Sequence, residues 1–368
     1  MSTPGSRYSP EAAIEQTLEV LGSQLWQHMD DAVPLMAIGP DSNPGVIGYS
    51  SFVLIYSSIS HNAAMRIAVA GSGAMARYIC EEFPKYGHQV VVLSRTEKAA
   101  FKGNLHVSQV VTDYSVTSIT EAIKDCDMLI SMILSYGPDF IDVHLKLIEA
   151  CQASPKCKRF IPSEYGGDLE NHPDLPVFYY RTREPIRKVL REQTELEWTL
   201  VSVGWFMDYV VPSKNRYLQD PGPAFPVDLT ANRIIIPGTG NDPIDVTAAR
   251  DVAAALAMLA DAPKWETYTY VSGVQTSWNN LATLVQKHYP QVDQVKHLGL
   301  GQILDTIQTS EDEVEILVSH YQMFTPLGAG SFSPDLVQRD RRKFFAGFRF
   351  RTPEQLVNEA LRSPGSIV

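Results

Sequence analysis

The chain has 368 residues, 44% hydrophobic and 20% charged, the composition of a globular protein with one large or two ordinary domains and a sizeable core. Its formal net charge of −11 excludes a nucleic-acid surface as its main business, while leaving room for a local basic pocket around one phosphorylated cofactor. No apolar run reaches the ~20 residues of a membrane span, and no basic segment leads into an apolar core, so no membrane association and a cytoplasmic location are expected. The four cysteines, Cys80, Cys126, Cys151 and Cys157, form no Cys-x-x-Cys pair and read as reduced thiols. No cluster has metal-ligand spacing, so no metal is expected.

Residues 1–64 carry Pro, Ser and Gly clusters around one helical stretch, 10–28, and read as an N-terminal extension, disordered or loosely attached. Met65 stands immediately before the first strong strand, so a start there would give a complete nucleotide-binding domain. From Arg66 strands and helices alternate. Strands are expected at 67–70, 89–94, 107–111, 127–132, 157–161 and 198–203, with helices at 74–86, 118–124, 140–150 and 176–193. Such repeating β-α units imply an α/β fold with a doubly wound parallel Rossmann sheet. After Gly204 the rhythm breaks. A strand at 233–236, a turn at 237–240, an Ala-rich helix within 245–260, a strand at 267–272, a helix at 277–288 and an aromatic segment with a terminal helix at 344–361 suit a smaller C-terminal α/β substrate lobe. The division expected is therefore 1–64, 65–204 for the dinucleotide-binding domain, and 205–368 for the lobe, interleaved with that domain.

The first strand runs into Gly71-Ser72-Gly73-Ala74-Met75-Ala76 and then a helix. Gly71 permits the tight turn and Gly73 lets the backbone approach a pyrophosphate. Ala76 stands where a third glycine often allows helix and strand to pack closely. The free amides and positive dipole of the helix start suit the phosphates. The second strand ends in Ser94-Arg95-Thr96. An NAD site usually carries Asp or Glu there, whereas the forked guanidinium of Arg95 suits a 2′-phosphate, so NADPH is the expected cofactor. Asp113 is placed to meet the adenine amine, Ser131 and Met132 to line the cofactor trough, and Ser163 to contact nicotinamide or substrate at the carboxyl end of its strand.

These motifs, together with Lys158-Arg159-Phe160-Ile161-Pro162-Ser163-Glu164-Tyr165-Gly166 and the strand ending Gly204-Trp205-Phe206, resemble NmrA-like proteins. The resemblance is nearest to the isoflavone reductase and phenylcoumaran benzylic ether reductase branch and its fungal relatives, and runs from about Met65 to the C-terminus. It implies an atypical short-chain dehydrogenase, an NADPH-dependent reductase of a small, often aromatic, metabolite. Other members of the family sense the dinucleotide without turnover. Where the reductases carry a lysine three residues before an Ile/Val-Arg pair, this chain has Arg183, before Ile186-Arg187. Arginine does not deprotonate inside a protein, so general-base work is lost while electrostatic help to an oxyanion survives.

Tyr179 lies four residues before Arg183, on the same helical face, and the two form a candidate acid and electrostatic partner. A half-buried aromatic beside a solvated arginine is the alternative. Trp205, Phe206 and Phe178 suit either an aromatic pocket wall or the core. His144 reads as a satisfied core histidine, Lys188 as surface, and Arg339-Asp340-Arg341-Arg342-Lys343 as a solvated face. Three functions stay open: an NADPH-dependent reductase of a small molecule, a dinucleotide-sensing regulator, and a redox-neutral use of the cofactor such as isomerisation. A monomer or homodimer is expected.

Overall fold

The computed structural model describes residues 64–368. The expected helix at 10–28 lies outside them. Six parallel strands form the main sheet in the order β3-β2-β1-β4-β5-β6: β1 (Arg66–Ala70), β2 (Gln89–Ser94), β3 (Val107–Val111), β4 (Met128–Ser131), β5 (Arg159–Ile161) and β6 (Glu197–Trp198). The apolar run in β2 is buried on both faces because neighbouring side chains alternate sides. Val90 and Val92 join one core with Ile67 and Val69, and Val91 and Leu93 join another with Ala68 and Ala70.

Helices cover both faces. The second core is closed by α2 (Val116–Ile123), α3 (Asp139–Ala153) and α4 (Val177–Glu192), which supply Ile119, Phe140, Leu147 and Ile186. The first is closed by α1 (Ala74–Glu82) and by a helix from far along the chain, α5 (Ala249–Asp261). The face of α5 is largely alanine, which lets α1 pack closely against it. The lobe and the sheet thus interleave, and Met65–Val368 forms one compact unit.

The strand expected at 198–203 is two strands. β6 completes the main sheet, and after Thr199 the chain continues as β7 (Leu200–Ser202). Buried Thr199 bonds through its hydroxyl to the Thr269 hydroxyl at 2.8 Å, and β7 pairs in parallel with Tyr268–Tyr270 instead of with β5. The lobe's other strands are β8 (Trp205–Phe206), β9 (Val227–Asp228), β10 (Arg233–Pro237), β11 (Ile244–Thr247), β12 (Tyr268–Tyr270), β13 (Val274–Thr276) and β14 (Gln294–Leu298). Its helices are α6 (Trp278–His288), α7 (Leu300–Thr309), α8 (Glu313–Phe324), α9 (Pro334–Lys343) and α10 (Pro353–Arg362). Sequence periodicity did not resolve β14, α7, α8 or α9.

The run 339–343 is only partly a solvated face: Arg342 and Lys343 are exposed, whereas Arg339, Asp340 and Arg341 are engaged. Asp340 is fully buried, accepting from the Tyr270 amide at 2.7 Å and from Arg339 Nε at 2.7 Å. Arg341 Nη2 donates to the Ser272 and Gly273 carbonyls at 2.7 and 2.8 Å. The alternating charges tie α9 to the strand ends of the lobe. No helix among the described residues is long and apolar enough to cross a membrane.

Candidate active site

The turn after β1 is shaped by backbone. Gly71 has φ +104°, and a Cβ there would lie 3.1 Å from the Met132 carbonyl group, so any side chain is both strained and crowded. At Gly73 a Cβ would meet nothing within 4 Å, which leaves an open cradle. Gly73 also caps α1 without any side-chain hydrogen bond, and the first turn of α1 holds no acidic residue. Uncapped amides, a positive helix end and space for close approach are what a pyrophosphate requires, so the residues present fit a dinucleotide. Ala74 and Met75 are half-buried and Ala76 is fully buried against the sheet, as close helix packing demands.

Pairing of β1 with β4 sets Ala70 beside Ser131, and the Met132 amide donates to the Ala70 carbonyl at 2.8 Å. The glycine turn and the end of β4 therefore share one crevice, where the strand order reverses. Ser131 is fully buried and Met132 is half-buried. Arg95, exposed at the end of β2, has its guanidinium 5.9 Å from the Tyr114 ring centroid. Asp113 is exposed, and hydrogen bonds from the Ser115 backbone and side chain hold its carboxyl below the usual range.

Tyr114 was not anticipated from sequence. It adopts φ +59°, uncommon for a side-chain-bearing residue, and its hydroxyl donates to the Leu93 carbonyl at 2.7 Å while accepting from the Gly71 amide at 3.1 Å. The glycine turn is thereby tied to the end of β2.

Beyond β5, the Ser163 amide donates to His144 Nε2 at 3.4 Å, and His144 Nδ1 lies 2.8 Å from the Phe140 carbonyl. One partner needs an acceptor and the other a donor, which puts the proton on Nδ1. Burial pushes the His144 pKa down to about 3. It is a satisfied core histidine that holds the strand end in place. Glu164 takes a bidentate bond from Arg187, at 2.8 Å from Nε and 2.6 Å from Nη2, with both side chains 3% exposed. That pair clamps the loop after β5 to α4.

Tyr179 lies in the first turn of α4, and Arg183 is one turn on. The two do meet, but the arginine is buried, not solvated. Its guanidinium lies between two rings, 3.7 Å from the Phe140 centroid and 4.3 Å from that of Tyr179. Its Nη1 donates to the Ser135 carbonyl at 3.1 Å and to Thr182 Oγ1 at 2.6 Å. Burial raises the Tyr179 phenol well above its ordinary value, against a smaller opposing pull from Arg183, so the hydroxyl keeps its proton at neutral pH.

Two further tyrosines meet Tyr179, neither expected from sequence. The Tyr321 hydroxyl, from α8, lies 2.6 Å from that of Tyr179 and 3.2 Å from that of Tyr136, in the loop after β4. Phe178 packs at 5.3 Å and Trp205 at 6.1 Å from the Tyr321 ring. Phe206, one residue on in β8, faces the sheet core. Trp205 and Phe178 thus both pack on the Tyr321 ring, and Phe206 belongs elsewhere. Lys188 is exposed, 4.0 Å from Glu192.

A six-stranded parallel sheet wound on both faces, with a glycine turn opening onto a helix start at the reversal of strand order, is a Rossmann-type dinucleotide-binding fold. The chain belongs to the NmrA-like family, whose model matches residues 64–344. It is 44% identical over 307 residues to the oxidoreductase swnR of Metarhizium robertsii and 42% identical over 306 residues to the oxidoreductase swnR of Arthroderma benhamiae, in each case across 83% of this chain and the whole of the relative. Among solved structures, the leucoanthocyanidin reductase of Vitis vinifera in complex with NADPH shares the fold with a TM-score of 0.64 and 18% identity, over 81% of this chain and 100% of that one.

Proposed function

We propose that this protein is an NADPH-dependent reductase of a small organic metabolite, one with aromatic character. The observation that carries the reading is the open, uncapped glycine turn, which adjoins at the end of β4 a loop that also enters a buried Arg–Tyr cluster. Two swnR oxidoreductases aligned over their full length, and a fold neighbour crystallised with NADPH, support it.

The amides from Ser72 to Ala76 would hold the pyrophosphate, Arg95 the 2′-phosphate and Asp113 the adenine amine. Ser131, Met132 and Ser163 would line the trough that carries the nicotinamide. The bound cofactor supplies a hydride. Tyr179, protonated at neutral pH, gives its hydroxyl proton to the substrate oxygen, and Arg183 against its ring face stabilises the phenolate left behind. Trp205 and Phe178 suit an aromatic substrate wall. The reading keeps the protein in the cytoplasm as a monomer or homodimer.

The test is a fluorescence titration of wild type and Arg95→Glu with NADPH and NADH, followed by turnover on a panel of aryl ketones, enones and benzylic ethers. Tighter binding of NADPH than NADH, lost in the variant, together with NADPH oxidation by at least one panel member, is the expected result. If neither nucleotide binds, the glycine turn is structural and the reading falls. A second reading, a dinucleotide sensor, draws on Arg183, which replaces a proton-shuttling lysine and is already bonded to Ser135 and Thr182. It predicts nucleotide binding without oxidation of NADPH.

A further inference from the structure

Three phenol hydroxyls converge from segments far apart in the chain. Tyr136 follows β4, Tyr179 opens α4, and Tyr321 comes from α8, 142 residues beyond Tyr179 and 185 beyond Tyr136. The Tyr321 oxygen is the middle member, at 2.6 and 3.2 Å from the others. A hydroxyl has one proton to donate and two lone pairs. In a chain of three, each member donates onward and one terminal O–H is left to face a ligand. The two ends differ. Tyr179 has the Arg183 guanidinium 4.3 Å from its ring centroid, whereas the Tyr136 ring lies stacked 6.1 Å from that of Tyr179 and is partly exposed. The cation against the Tyr179 ring offsets part of the burial cost of a phenolate there, so Tyr179 is the end assigned to give up its proton.

We propose that Tyr321 is a positioning residue that relays protons: its hydroxyl hands a proton from Tyr136 to Tyr179 and fixes the direction in which the Tyr179 O–H points. The proposal rests on the reductase reading. When a carbonyl carbon receives a hydride, the C=O π pair moves to oxygen, and that oxygen takes the Tyr179 proton. Tyr179 then recovers a proton from Tyr321, Tyr321 from Tyr136, and Tyr136 from water. The carbonyl becomes an alcohol, the nicotinamide is oxidised, and one water-derived proton is consumed. The helix α8 of the lobe is thus part of the catalytic apparatus. The hydroxyl of Tyr321 is what matters, since phenylalanine preserves the ring contacts with Phe178 and Trp205.

The test uses the full chain as wild type and Tyr321→Phe, with 13Cζ-labelled tyrosine for NMR at neutral pH and an aryl ketone or enone as the oxidant of NADPH. The expected result has three parts. The Cζ shifts of Tyr179 and Tyr136, which report the hydrogen bonding of their hydroxyls, move in the variant. NADPH affinity stays within twofold of wild type. The kcat falls about 100-fold, the scale of losing a positioned proton-transfer group, with a changed solvent deuterium isotope effect. Unmoved shifts overturn the hydroxyl chain. A kcat within twofold of wild type overturns the relay alone. A wild type that binds NADPH and reduces no panel member overturns the reductase reading and the relay with it, even where the shifts move. Loss of NADPH affinity in the variant points to repacking and overturns the relay.

Discussion

The glycine turn and the Arg183 cluster are built from different materials. At the glycine turn, the geometry falls to backbone: a positive φ at Gly71, an open Cβ position at Gly73, and helix amides with no side-chain cap. At the Arg183 end it falls to side chains from three segments, Ser135-Tyr136, Tyr179 to Arg183, and Tyr321, held by contacts that no single stretch of chain contains. A backbone site tolerates neighbours of many kinds and fails only when its own glycines change. A side-chain site depends on every element that presents it, so distant damage reaches it.

Breaking the scaffold of the side-chain end should have the largest effect. Arg187→Ala strands Glu164, a carboxylate 3% exposed, without its bidentate partner. The expected cost is about 3–5 kcal/mol, read as a lower urea midpoint, with nucleotide affinity lost only through unfolding. An unchanged midpoint would show that the clamp between the loop after β5 and α4 is dispensable.

Acid should strike the same end. His144 is neutral in the fold, with its pKa pushed to about 3 from 6.5. Its contribution is therefore fully present above pH 6.5 and lost as pH falls toward 3. Between pH 7 and pH 4 the wild type should lose about 3 kcal/mol from this group. His144→Gln should lose correspondingly less over that window, whatever its stability at pH 7. Parallel stability–pH curves for the two proteins would sink the assignment.

Chemistry and cofactor choice are gentler probes. Tyr179→Phe should lower kcat about 100-fold while leaving NADPH affinity within twofold, a separation of the two ends in one measurement. Arg95→Glu should do the reverse. It should cut the NADPH-over-NADH preference about 10-fold or more, the scale of one charged hydrogen bond, with little change in kcat at saturating nucleotide. If either variant moves both quantities equally, the two ends are coupled and the contrast drawn above is too sharp.

That contrast also explains what was legible in the sequence. The strand–Gly71–helix order and the Arg95 strand end are local patterns, and so are the Val-rich strands and the i, i+4 meeting of Tyr179 with Arg183. All could be read within a few residues. Tyr136 and Tyr321 carry no motif, because their meaning comes from tertiary proximity across nearly two hundred residues. The missed helices α7 to α9 lie on the lobe, where amphipathic faces are short and partly exposed. Thr199 lies between one strand and the next for a reason that only its partner Thr269 supplies, so one continuous apolar run concealed a change of sheet. The basic run at 339–343 misled for a related reason: composition signals charge, while the partners that absorb it, Tyr270, Ser272 and Gly273, lie elsewhere.

Tyr114 has a consequence for how a nucleotide is met. The Gly71 amide is already shared between the Tyr114 hydroxyl and the Leu93 carbonyl, at 3.1 and 3.0 Å. On the proposed reading, anion contacts would begin one residue later, from Ser72 onward, and the first member of the motif would serve the protein instead of the ligand. The turn is held in shape by an internal phenol, so its ordering entropy is spent during folding and not at the moment of association. On the proposed reading, a phosphate arriving there would encounter a mould that has already set, with little rearrangement of the loop left to make.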